Sequence, residues 1–300
     1  MPVFGYLTRH GTSCILQGMK RGSLVSIIIV MALISCGKGT AQTPPIQQKP
    51  SVPEKQNLSS QIVPAALTAL EQSEIQPDDK KNILAAINKS PSRFAELLAA
   101  ITETAKQDPS LLLRVDKKKG LSETWEPSDL RLLDKSGIST ARSGLKLRAP
   151  ALAALQEMNK KALTEGITLL VSSAYRSYAY QKEVFARNVK EMGEAEASRV
   201  SARPGSSQHQ LGTAMDFGSI TNDFARTKAG IWLAANAGKF GFSLSYPQGM
   251  EQLTGYQWES WHYRYIGKDA VALQNEFFSG IQHTMMLFLD AFFAIKPPSK

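Results

Sequence analysis

Two short segments far apart in the chain, SQHQLGTAMD at 207–216 and ESWHYRYIG at 259–267, constrain its fold more than anything else in it. Taken singly, His209 and His262 read as ordinary histidines, satisfied in a core or facing solvent. His283 keeps that reading, because no carboxylate pattern accompanies it in its helix. With Asp216, however, His209 and His262 make three nitrogen and oxygen ligands, the number a hydrolytic zinc site takes from the protein while a fourth position goes to water. Gly212 and Ala214 fit that reading: a flexible turn folds His209 back toward Asp216, and small side chains keep the strand clear around an ion. Glu259, three residues before His262, is the candidate general base. On an ideal strand an odd offset sends two side chains to opposite faces, so the spacing predicts a turn or bulge at Glu259-Ser260.

The rest of the chain supplies a frame for these segments. Lys20 and Arg21 precede the apolar run LVSIIIVMALI (24–34), and small or polar residues follow, the order of a secretory signal. The run is too short to span a bilayer. Its end, Leu33-Ile34-Ser35-Cys36, resembles the lipobox of bacterial lipoproteins, which makes Cys36 the expected lipidation site and first mature residue. MKRGSLVS from Met19 reads as a natural start, so the true initiator is expected there. Loss of Arg9, Lys20 and Arg21 with the leader lowers the net charge from +9 to +6. That modest excess reads as a solvated basic face or an affinity for an anionic envelope, with no nucleic-acid partner expected. Cys14 and Cys36 are the only cysteines, so neither a disulfide framework nor a thiolate zinc site is expected.

Residues 37–61 are polar and rich in Pro, Gln and Ser and read as a flexible tether. Apolar residues return at helical spacing over 62–107, predicting a short helical N-terminal appendage. The main domain is expected over 108–280. SLLLRVD is a candidate first strand, LRAPALAALQEMNKKALTEG a helix, ITLLVSSAYRS a central strand and YAYQKEVFARNVKEMG a helix. GTAMDFGSI and WESWHYRYIG read as strands and DFARTKAGIWLAANAGKFG as a helix between them. KDAVALQNEFFSGIQHTMMLFLDAFFAI is expected to be one final helix, whose apolar end (281–300) is too short and too interrupted by Asp290 to span and so packs on the domain or on the N-terminal helices. This order predicts an α+β fold, a small antiparallel sheet flanked by helices.

SQHQLGTAMD fits a SxHxxGxAxD signature, ESWHYRYIG fits ExWHxRYxG, and SSAYRSYAYQ (172–181) resembles SxYRSYxxQ, in that order. All three are signatures of the VanY-type D-alanyl-D-alanine carboxypeptidases, zinc peptidases of the group that includes D-Ala-D-Ala dipeptidases and the hedgehog-like fold. The resemblance runs from about Leu111 to Gly267. It implies that His209, Asp216 and His262 bind one zinc ion, that Glu259 is the catalytic base, and that Arg176 holds substrate and stabilises the transition state. Gln181 and Ser207 are implied near the substrate; the plainer readings are helix solvation for Gln181 and turn capping for Ser207. Two departures stand out. Ser260 replaces the family's usual proline after the base, so the bend must be held another way. Ser245 replaces a common arginine before the Tyr-Pro pair, which puts substrate preference in question.

The resemblance implies hydrolysis of the terminal D-Ala-D-Ala bond of peptidoglycan stem peptides. Such an enzyme would be exported and lipid-anchored on the outer face of the cytoplasmic membrane or in the outer membrane. The alternatives are an L,D-carboxypeptidase or endopeptidase on the same cell wall, or a catalytically inactive peptidoglycan-binding lipoprotein. The leader gives one direct test: intact-mass analysis of the protein from its native membrane should show a diacylglyceryl-modified N-terminus at Cys36, and a mature chain beginning elsewhere overturns the lipobox reading.

Overall fold

A computed structural model describes residues 52–297, with side chains from Asn57 onward. Met19, the apolar run at 24–34, Cys36 and the tether up to residue 51 lie outside the described residues. Three helices come first: α1 (Val52–Gln72), α2 (Pro77–Lys89) and α3 (Pro91–Gln107). α1 begins inside the 37–61 stretch read as tether. Its first turns carry no apolar stripe to betray them and are held by local bonds such as Gln61 Nε2 to Asn57 Oδ1 at 3.0 Å. α3 is the plainest amphipathic helix, burying Phe94, Leu97, Leu98 and Ile101 at i, i+3, i+4 and i+7.

The segment SLLLRVD is not a strand. Leu111 and Leu112 are buried, but the carbonyls of Leu111 and Leu113 accept from the Arg264 guanidinium at 3.0 and 2.8 Å rather than from a neighbouring strand. A buried side chain thus takes the hydrogen bonds a ladder would have supplied.

After it come β1 (Leu130–Leu132), β2 (Ser139–Thr140), β3 (Lys146–Arg148), α4 (Ala149–Thr164) and β4 (Leu170–Ser173). α5 (Tyr178–Met192), α6 (Glu194–Val200), β5 (Ala214–Phe217), α7 (Lys228–Asn236) and β6 (Phe242–Leu244) follow. The chain then forms α8 (Glu251–Thr254), β7 (His262–Tyr265), α9 (Lys268–Phe277) and α10 (Gln282–Ile295). β1 and β3 form a small ribbon, and the main sheet has the order β2-β4-β5-β7-β6. It is antiparallel except for the β2–β4 edge pair, which is parallel. The architecture is α+β, a small sheet flanked by helices.

Alternation sorts the sheet into two faces. Val171, Met215, Phe217, Phe242 and Tyr263 point one way and pack with Leu155 and Met158 of α4 and Trp232 and Leu233 of α7. Ser173, Asp216 and His262 point the other way in one cross-strand row, because Ser173 pairs with Asp216 and Asp216 with His262. This polar face carries the site.

The expected single C-terminal helix is two. Ser279 and Gly280 adopt φ of 53° and 73°, and α9 and α10 meet at 104°. Among the described residues no single helix is long and apolar enough to cross a membrane. The apolar side of α10 is instead buried against α1, α9 and α3, with Phe94 meeting Phe277 at 5.0 Å and Phe288 at 5.9 Å between ring centroids. Asp290, the charge within that run, pairs with Arg114 at 2.7 Å and Lys119 at 2.8 Å. Phe94 joins three helices at full burial, so Phe94→Ala should cost about 3–5 kcal/mol by denaturant unfolding. A loss under about 1 kcal/mol would show that the N-terminal layer packs elsewhere.

Candidate metal centre

Each ligand position has a local cause. Asp216 and His262 face each other across the β5–β7 ladder, where directly opposed side chains share a face. His209 arrives from a 3-10 turn, Gln208–Leu211, that Ser207 caps by accepting the His209 backbone N–H. Gly212 ends the turn at φ 69°, and a Cβ there would meet Arg148 Cγ at 2.9 Å. Only glycine therefore reverses the chain so tightly into β5. The predicted bend before His262 is present as a turn closed by the His262 N–H to the Glu259 carbonyl at 3.2 Å. Asn222 Oδ1 holds it from outside by accepting the Ser260 N–H at 3.3 Å, at the position where the resemblance implied a proline.

The three candidate ligands lie with one nitrogen or oxygen each within 4.8 Å of the others, all buried. His209 Nε2 is 3.2 Å from Asp216 Oδ2, and His262 Nδ1 is 3.0 Å from Asp216 Oδ1. Bonds of roughly 2.0–2.1 Å in a tetrahedron place ligand atoms about 3.3 Å apart, so these separations suit one ion. Proton bookkeeping points the same way. His209 Nδ1 lies 2.7 Å from the Ala174 carbonyl, an obligate acceptor, which puts the proton on Nδ1 and leaves a lone pair on Nε2. Burial pushes the His209 pKa down to about 4, so the ring is neutral at neutral pH. Its lone pair then faces a carboxylate oxygen with no proton between them. Asp216 Oδ1 likewise makes no hydrogen bond despite its burial and its short approach to His262. A cation answers both orphaned groups at once, and two imidazoles with one carboxylate suit zinc.

Glu259 Oε2 stands 3.4 Å from His262 Nδ1. Burial pushes its pKa up to about 7, with the Asp216 charge acting in the same direction against His262 and Arg176. Arg176 is committed on three sides: Nη2 to Asp216 Oδ2 at 3.1 Å, Nη1 to Gln181 Oε1 at 3.0 Å and Nε to Ser173 Oγ at 3.2 Å. It still lines the cleft of about 420 Å³ into which His209, Asp216, Glu259 and His262 open. Ser207 lines that cleft as well as capping the turn. Gln181 does not. It is fully buried behind Arg176 and donates to the Ala202 carbonyl at 2.7 Å, so its contact is with the arginine and not with the cleft.

The sequence reading missed Tyr246, Gln208 and Asn222. Tyr246 packs its ring 4.9 Å from that of His262 and lines the cleft. Nothing in the spacing marks these residues, since their neighbours in space come from other strands.

Comparison with known proteins bears on this geometry. Residues 144–268, which include all three ligands, Glu259 and Arg176, match the model of the family described as VanY, D-alanyl-D-alanine carboxypeptidase. A solved structure of the LdcB LD-carboxypeptidase is 35% identical, covers 58% of this chain and 89% of its own, and superposes with a TM-score of 0.52. The chain belongs to the VanY D-alanyl-D-alanine carboxypeptidase family. Among its VanY-family relatives, YodJ of Bacillus subtilis (strain 168), named as a carboxypeptidase, is 38% identical over 56% of this chain and 64% of its own. A D-alanyl-D-alanine carboxypeptidase of Enterococcus faecium is 30% identical over 59% of this chain and 57% of its own. The chain thus spans less than two thirds of these curated relatives.

For this VanY-family site, metal analysis of the purified protein should find about one zinc per chain. Asp216→Ala should remove it while the fold is kept. Stoichiometric zinc in that variant would place the ion elsewhere.

Proposed function

We propose that the protein is a zinc-dependent carboxypeptidase that releases the terminal D-alanine of peptidoglycan stem peptides. One observation carries the reading: His209, Asp216 and His262 converge at the floor of a cleft with Glu259 and Arg176 beside them. Zinc, when bound, supplies the Lewis acidity that makes a water molecule nucleophilic near neutral pH. Glu259 takes the proton from that water and later returns it to the leaving amine. Arg176, fixed by Gln181, Ser173 and Asp216, donates to the carbonyl oxygen as negative charge develops there. Its rigid setting favours this step because no reorganisation is needed at the moment of reaction.

A second group of cations lines the same cleft. Arg142 lies over the Tyr180 ring at 5.8 Å and approaches its hydroxyl at 3.4 Å, and Arg187 lies on the same wall. Guanidinium groups bind carboxylates in a fork geometry, so this wall suits a peptide that ends in a free carboxylate. That feature favours exopeptidase action over cleavage of cross-links. Release of D-alanine from a tetrapeptide, the L,D-carboxypeptidase reaction, uses the same metal chemistry and is the second reading, favoured by the 35% identity to LdcB. An inactive peptidoglycan-binding role is disfavoured because the ligands and the base are all in position.

The leader and the lipobox support a location outside the cytoplasmic membrane, with a lipid at Cys36 as the anchor. A tethered enzyme there would keep its stem-peptide substrate within reach. The direct test is incubation with penta- and tetrapeptide muropeptides, with and without a chelator, followed by mass analysis. D-alanine should leave the pentapeptide, and chelation should abolish its release. Cleavage of the tetrapeptide alone would establish the L,D reading instead, and no chelator-sensitive cleavage of either would overturn both. Glu259→Ala should keep its zinc and lose about 10²–10⁴-fold in kcat. Near-normal turnover would remove Glu259 from the mechanism.

A further inference from the structure

Behind His262 runs a chain of buried amides and hydroxyls that the hydrolysis does not use, starting at Gln208, which also borders the cleft. His262 Nε2 lies 3.3 Å from Gln208 Oε1. The same oxygen accepts from Ser245 Oγ at 2.7 Å. Gln208 Nε2 and Ser245 Oγ both face Gln282 Oε1, at 3.5 and 3.3 Å. Gln282 Nε2 in turn faces the Ser243 backbone carbonyl at 3.5 Å. His262, Gln208, Ser245 and Gln282 are 3%, 8%, 2% and 2% exposed, and the void beside them is only about 10 Å³. That leaves room for at most about one water.

The direction of this chain is fixed at its far end. A backbone carbonyl can only accept, so the Ser243 carbonyl turns the NH₂ of Gln282 toward itself and the amide oxygen toward Gln208. Gln282 Oε1 then faces the NH₂ of Gln208, which turns the Gln208 oxygen to His262. An acceptor at that place keeps the His262 proton on Nε2 and leaves the Nδ1 lone pair directed at Asp216 and Glu259. Were the Gln208 amide reversed, its NH₂ would face Nε2 and drive the proton onto Nδ1, where it would block a metal. Ser245, whose replacement of arginine put substrate preference in question, does not line the cleft; it sits in this chain.

Gln282 is the first residue of α10 and lies outside the matched span 144–268. We propose that it is a positioning residue for the metal centre, acting through Ser245 and Gln208 to fix the tautomer and orientation of His262. The α9–α10 hairpin, with the N-terminal helices packed against it, is on this view part of the metal site and not a separate appendage. The inference rests on the zinc reading above.

The test uses the full mature chain. Zinc affinity is measured by competition with a chromophoric chelator, and the His262 tautomer by ¹⁵N NMR of the metal-free protein. Gln282→Met keeps length and volume but removes both polar ends. It should weaken zinc binding by about tenfold or more, in line with other partners of ligating histidines, and let His262 populate both tautomers. Ser245→Ala breaks the chain from a different strand and should shift both readouts in the same direction, even where Gln282→Met folds poorly. Phe288→Leu thins the packing of the same helix without touching the chain, so it should lower the melting temperature and leave both readouts unchanged. Zinc affinity within twofold of wild type in both Gln282→Met and Ser245→Ala overturns the inference while leaving the zinc reading intact. Failure of the wild-type chain to take up zinc overturns both. An equal loss of affinity in Phe288→Leu would reduce Gln282 to a packing residue and overturn the inference alone.

Discussion

The register of β5 against β7 is what everything else at the site depends on. Asp216 stands directly opposite His262, and a slip of one residue would bring Met215 or Tyr263 to the polar face and send a ligand into the core. The apolar side of the sheet prevents that slip, because Met215, Phe217 and Tyr263 are buried together, and a slip would turn either the β5 pair or Tyr263 out of that core toward the polar cleft. Core packing on one face therefore fixes the spacing of the candidate metal ligands on the other. The third ligand, His209, needs no strand of its own, since the turn ended by Gly212 returns it to the same row.

Much of this was legible in the sequence. AMDF and HYRY alternate between small or polar and large apolar residues, which assigns Asp216 and His262 to one face before any pairing is known. The odd offset between Glu259 and His262 demanded a bend, and a turn stands there. What could not be read was how the bend is held without proline, because Asn222 is remote in sequence and offers only an ordinary side-chain oxygen. Nor was the environment of Ser245 legible: its partners Gln208 and Gln282 come from a turn and a helix that meet only in the folded chain. SLLLRVD failed as a strand for a related reason. Its apolar run is genuine and buried, but its carbonyls serve Arg264, and periodicity reports burial without saying what takes the backbone hydrogen bonds.

Arg264 shows how the two halves of the structure are tied. It is 1% exposed, it lies two residues after His262 on the same face, and burial lowers its pKa to about 10. It has no carboxylate partner among the described residues, and its Nε makes no hydrogen bond. The carbonyls of Leu111 and Leu113 are its partners, so the segment leaving the N-terminal helices is bound to the strand that bears a ligand. Asp290 on α10 reaches the same segment through Arg114 and Lys119. Residues 52–120 and 269–297, outside the matched span, thus brace β7 from behind through the Arg264 link and a shared apolar core, with Asp290 tying α10 to the same segment.

The central claim is that one metal ion sits among His209, Asp216 and His262. Anomalous diffraction from crystals grown with zinc, recorded on both sides of the zinc absorption edge, tests it most directly. The account predicts a single strong peak bonded to His209 Nε2, His262 Nδ1 and a carboxylate oxygen of Asp216 at roughly 2.0–2.2 Å. A peak at any other set of residues, or none there at full zinc occupancy of the solution, would contradict it.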